Sequence, residues 1–140
     1  MHICIDSSVF IRGFSTNDTN IAAILDLIGQ QLRLTIPRLV AIEVTRNLGP
    51  VERRRQFYAL FRRVGFAAIV DEPIPISLVE KYTTLGLPAK ADAFIGAFAE
   101  WQSVHYLLSD NRHFLRRLQT SAFTVLTPDE FIARWQKNEL

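Results

Sequence analysis

The chain has 140 residues, a single cysteine, a formal net charge of +2 and a pI of about 9.0. A chain of this length buries a core without covalent staples, and the lone Cys4 excludes both a disulfide framework and a cysteine-built zinc site. No apolar run approaches the roughly 18 residues of a membrane span, and no basic-then-apolar leader opens the chain. One soluble cytoplasmic domain, 1–140, is therefore expected. Its lysines are only Lys81, Lys90 and Lys137; every other basic residue is arginine, whose planar fork suits phosphate.

The first predicted element is a strand over 2–6, the apolar run of HICIDSSVF, which ends in an acid. Asp6 there has two readings: a cap for the helix that starts near Ser7 and Ser8, or a ligand at the carboxyl end of a strand, where open parallel sheets bind their ligands. Helical patterns follow at 8–14 and 19–31, then a strand at 33–36 and a helix at 37–48. In the sequence PRLVAIEVTRNL a step of 100° per residue places Leu39, Val40 and Val44 on one side with Glu43 inside their arc, so this carboxylate points inward. The next helix, 51–64, carries Arg55, Tyr58 and Arg62 on one side and Phe57, Leu60, Phe61 and Val64 on the other. Basic and aromatic groups in that combination suit phosphate contact and base stacking, although a solvated face or a protein-binding face has the same composition.

A strand is predicted at 66–70, and a helix at 77–85 where Ser77 and Glu80 have capping-box spacing. The helix at 89–102, in KADAFIGAFAEW, sets Asp92 on a side with Ala89, Ala93, Gly96 and Ala99, small enough to press closely against a sheet. Asp92 either complements the helix dipole or reaches a site on that sheet. The strand at 104–109 runs into Ser109, Asp110 and Asn111. Strict alternation points Asp110 away from Ser109 and Asn111 unless the chain turns, and Asp and Asn favour a turn. A last strand at 122–126 and a helix at 128–137, capped by Thr127 with Glu130, complete the chain. Strands alternating with helices predict an α/β three-layer fold with a central parallel sheet of about five strands.

Asp6, Glu43, Asp92 and the Asp110/Asn111 pair thus gather from two strand ends and two helices. Two carboxylates about 4 Å apart repel by roughly 4 kcal/mol at an effective dielectric of 20, so their convergence calls for a divalent cation. Oxygen donors without a cysteine or histidine cluster favour Mg²⁺ or Mn²⁺. His2, His105 and His113 have no short ligand spacing and are assigned to core or surface.

The four segments ICIDSSVFI, PRLVAIEVTRNL, KADAFIGAFAEW and LLSDNRHF, in this order, resemble a PIN-domain ribonuclease, in particular the VapC-type toxins of toxin–antitoxin pairs. The resemblance implies a Rossmann-like fold, an acidic pocket for Mg²⁺ or Mn²⁺, and metal-assisted hydrolysis of RNA. Carried over by position, Asp6 and Asp92 are the main metal ligands, Glu43 is a further acid of the pocket, and Ser8 lies beside the first ligand. Ser109 and Asn111 stand where the family has a Ser or Thr followed two residues later by an acid or amide. Whether Asp110 or Asn111 completes the catalytic and metal set stays open at this level. Arg12 and Arg112, with Arg55 and Arg62, are candidate RNA contacts. The resemblance further implies a small antitoxin protein as partner and association of two copies. A non-catalytic PIN module binding RNA or protein is the alternative. A receiver or nucleotide-binding domain is disfavoured, since no glycine-rich phosphate loop follows the first strand.

Overall fold

The computed structural model describes residues 1–87 and 90–140. Five parallel strands form one sheet: β1 (His2–Ile5), β2 (Arg33–Pro37), β3 (Ala67–Val70), β4 (Tyr106–Leu108) and β5 (Thr124–Leu126), in the order β3-β2-β1-β4-β5. All four pairings are parallel, and β1 is aligned with β4 so that Ile3, Cys4 and Ile5 face Tyr106, Leu107 and Leu108. In the central strand the apolar Ile3, Cys4 and Ile5 are fully buried because helices cover both faces. Cys4 is packed there, and burial pushes its thiol up, out of the reactive range.

Among the described residues six α-helices connect the strands and a seventh follows β5: α1 (Ser7–Thr16), α2 (Thr19–Leu27), α3 (Arg38–Asn47), α4 (Val51–Ala59), α5 (Ile76–Thr84), α6 (Lys90–Trp101) and α7 (Pro128–Gln136). Helices α1 to α4 pack with one another and α7 packs on α2, while α5 and α6 form a separate pair. The expected α/β three-layer architecture is present, with every predicted strand in place.

Four local expectations need correction or fall outside the described residues. Ser77 does not cap α5: Pro75 occupies the cap position without a side-chain hydrogen bond, and Ser77 lies within the first turn. The helix expected over 51–64 stops at Ala59 and tightens into a 3₁₀ turn over Leu60–Arg62, and Gly65, with φ of 86°, then turns the chain into β3. Of the small side assigned to α6, Ala89 lies outside the described residues. The remainder packs partly on α5 rather than on the sheet alone, since a Cβ at Gly96 would stand 2.7 Å from the Tyr82 ring.

One element was not anticipated, a single π-helical turn over His113–Arg117 after β4, closed by the Leu118 amide donating to the His113 carbonyl at 3.0 Å.

The strand order reverses direction between β1 and β4: β2 and β3 continue on one side of β1, and β4 and β5 lie on the other. Such a switch point opens a crevice at the carboxyl ends of the two strands. Asp6 follows β1 and Ser109 follows β4 at that place. The sheet ladder runs on through both residues, the Asp6 amide donating to the Leu108 carbonyl at 2.9 Å and the Ser109 amide to the Leu126 carbonyl at 3.1 Å.

Candidate functional site

Asp6 performs both duties between which its position left a choice. Its Oδ1 accepts from the Ser7 amide at 2.8 Å and caps α1, while Oδ2 accepts from the Ser109 hydroxyl at 2.9 Å and the Ser8 hydroxyl at 3.3 Å. The residue is only 4% exposed. Among the described residues no basic side chain pairs with it: burial pushes the Asp6 carboxyl above the usual carboxylate range, the Ser109 hydroxyl and Ser7 amide oppose the rise, and the charges of Glu43 and Asp92 add to it.

Glu43 and Asp92 reach the same crevice from two helices. On α3 the buried Val40, Ala41 and Val44 fix the helix against the core, leaving Glu43 half-buried at the border, where its Oε2 accepts from the Ser7 hydroxyl at 3.0 Å. Asp92 stands in the first turn of α6, held close by the buried Ala93 and Gly96. Its two oxygens are both engaged, Oδ1 by the Asn111 amide nitrogen at 3.2 Å and Oδ2 by His113 Nδ1 at 2.8 Å.

The segment after β4 turns, and it sorts its two competitors. Ser109 is completely buried and accepts from the Asn111 amide at 2.9 Å, and Asn111 Oδ1 in turn accepts from the His113 amide at 2.9 Å. Asn111 therefore directs its side chain to Asp92. Asp110 borders the crevice, but its carboxylate lies 3.5 Å from Arg12 Nε. Burial raises the Asp110 carboxyl, Arg12 opposes, and Asp129 and Asp18 add to the rise.

The crevice has a volume of about 310 Å³ and is lined by Asp6, Ser7, Ser8, Glu43, Asp92, Asp110 and Asn111, with Ala91 and Ile95. None of these lining residues is basic. An all-oxygen donor set around a buried, uncompensated carboxylate fits a hard divalent cation. Among the described residues no three carboxylate, histidine or cysteine side chains close around one point. Mg²⁺ is commonly held by one or two carboxylates and several waters, so Asp6 and Asp92 are the residues that could hold it.

The arginines singled out in the sequence are dispersed. Arg12, on α1, has Asp18, Asp110 and Asp129 within 3.7 Å, which occupies its guanidinium with carboxylates beside the crevice. Arg112 is exposed next to the Asn111 turn, and Arg55 and Arg62 are exposed on α4 and the turn after it. A second groove, of about 520 Å³, runs between α3 and α4 and is lined by Arg38, Arg46, Arg54, Ile42 and Tyr58. Ser7 and His113 were not among the candidates. The serine was legible only as part of the helix start, and the histidine lies 21 residues from the acid it touches.

A family model described as PIN domain matches residues 3–120. Among solved structures, a chain in the crystal structure of VapBC2 from Rickettsia felis, bound to a DNA fragment from their promoter, superposes with a TM-score of 0.66 at 13% identity, covering 91% of this chain and 98% of that one. No curated protein matches by sequence.

Proposed function

Since the chain belongs to the PIN-domain family, we propose that the crevice between β1 and β4 is the centre of a Mg²⁺- or Mn²⁺-dependent endoribonuclease, acting as the toxin of a VapC-type toxin–antitoxin pair. The carrying observation is Asp6: a carboxylate 4% exposed, raised by burial and by two neighbouring acids, whose hydrogen-bond partners among the described residues are all serines. Asp6 and Asp92 would hold the metal, and a bound divalent cation supplies a lowered water pKa and offsets charge on the phosphate. Ser8 and Ser109 fix Asp6 through its outer oxygen, and Ser7 fixes Glu43. Glu43, at the border of the crevice, is placed to orient the attacking water or take its proton. Asn111 fills the fourth position, and Asp110, turned to Arg12, tunes the charge beside it.

Labelled RNA incubated with the protein and Mn²⁺ should be cleaved. EDTA, Asp6→Asn or Asp92→Asn should each lower turnover by at least about 100-fold, the worth of a few kcal/mol of metal assistance. Cleavage that survives all three would reject the site.

Asn111 in place of a fourth acid is the observation that favours a non-catalytic PIN module. Under that reading RNA binds and stays intact with Mn²⁺ present. A toxin assignment carries a partner with it, and the neighbour in fold is a VapBC complex. Exposed Ile42, Val51 and Tyr58 on α3 and α4 offer apolar area for a small antitoxin or a second copy. The product of a small adjacent reading frame should copurify with this protein and block its cleavage of RNA.

A further inference from the structure

His113 belongs to no part of the site as derived from the acids, yet its contact with Asp92 is shorter than those between the side chains that line the crevice. Its Nδ1 lies 2.8 Å from Asp92 Oδ2. An ionised carboxylate can only accept, so Nδ1 carries the proton and donates. The other oxygen of Asp92 is held by Asn111, and the His113 amide donates to Asn111 Oδ1 at 2.9 Å. Both grips on Asp92 thus come from one turn, and that turn is anchored through the Ser109 hydroxyl to Asp6. The π-helical turn begins at His113 and sets where its ring stands, the Leu118 amide closing on the His113 carbonyl.

We propose that His113 is a positioning residue for Asp92: its Nδ1–H fixes the rotation of the carboxylate so that Asp92 and Asp6 present their oxygens to one cation. This rests on the reading of the crevice as a cation site. A carboxylate at a helix start has two free torsions, and a small cation that demands near-octahedral geometry gains from having both locked before it arrives. Loss of an outer hydrogen bond of this kind typically weakens metal binding by about 10–100-fold.

The stereochemistry of the side chain supplies the test. In His113→Asn the amide nitrogen stands the same number of bonds from the backbone as Nδ1, whereas in His113→Gln it stands where Nε2 was. The half-exposed ring should allow both variants to fold, which thermal unfolding without metal verifies. Mn²⁺ affinity is then measured on metal-free protein without RNA, by the free-Mn²⁺ electron paramagnetic resonance signal. The expected result is that His113→Gln binds Mn²⁺ about 10–100-fold more weakly, and His113→Asn stays within about threefold of the unmodified protein. Equal, undiminished affinity in both variants overturns the proposal, and so does equal loss in both, because the donor position would then be irrelevant. Asp92→Asn is the control for the underlying reading. If it binds Mn²⁺ as well as the unmodified protein does, or if the unmodified protein binds none, the cation site itself is wrong and the role of His113 falls with it.

Discussion

Asp6 divides its two oxygens between a helix cap and the crevice, and the folded chain bears a cost for this. Its native carboxyl sits above the ordinary carboxylate value because burial and the charges of Glu43 and Asp92 disfavour the ionised form. The penalty is absent below the unfolded pKa and fully present once pH exceeds the raised native one, so deprotonation of Asp6 lowers stability. Asp6→Asn keeps an acceptor for the Ser7 amide and removes the charge. Its metal-free form should therefore melt a few degrees above the unmodified protein while losing cleavage, a gain and loss readable from thermal unfolding in EDTA beside an RNA assay. Excess Mn²⁺ should reverse the ranking by stabilising only the protein that still has the ligand. Arg12 poses the complementary case, one guanidinium among Asp18, Asp110 and Asp129. Arg12→Leu leaves three acids facing one another, with an expected loss of about 1 kcal/mol that shrinks as salt rises; denaturation at low and high salt measures it.

At the scale of elements, the close approach of α6 to α5 brings Asp92 near the sheet end. A methyl group at residue 96 would meet the buried Tyr82 ring at 2.7 Å and the Leu87 side chain at 2.9 Å. Gly96→Ala should cost about 1–3 kcal/mol in urea unfolding despite its better helix propensity, because overpacking outweighs the propensity gain. The elements themselves were legible because the strands are written as short, largely apolar runs and α3 as a period of 3.6. Glu43 and Asp92 stood out for the same reason, as acids inside apolar or small faces. The π-helical turn was not legible, since HFLRR carries no pattern that separates it from an ordinary helix turn. His113 and the acids around Arg12 were missed as partners because their meeting depends on how separate elements pack, which periodicity along one element does not encode. The Ser77 cap failed because Pro75, with its fixed φ, takes the cap position first.

Across the whole molecule the two ends of the sheet differ in chemistry. At the amino-terminal end His2 is 5% exposed and its ring bonds Thr35 Oγ1 at 2.8 Å, with Arg33 at 3.2 Å from the other nitrogen. Burial, then Arg33, His105 and the chain terminus, lower its pKa to about 4. Between about pH 6.5 and 4 the unfolded chain binds a proton there that the folded one does not, so stability falls as pH falls, by at most about 1.4 kcal/mol per unit. His2→Gln should flatten that part of a stability–pH profile taken by urea unfolding. The carboxyl-terminal end, with its acids, follows from strand order alone, which set Asp6 and Ser109 side by side although 103 residues of chain separate them. That spacing has a bearing on the order in which the crevice is built during synthesis. Asp6 leaves the ribosome 103 residues ahead of Ser109, so the two sides of the crevice can meet only after β4 and the turn that follows it have been made.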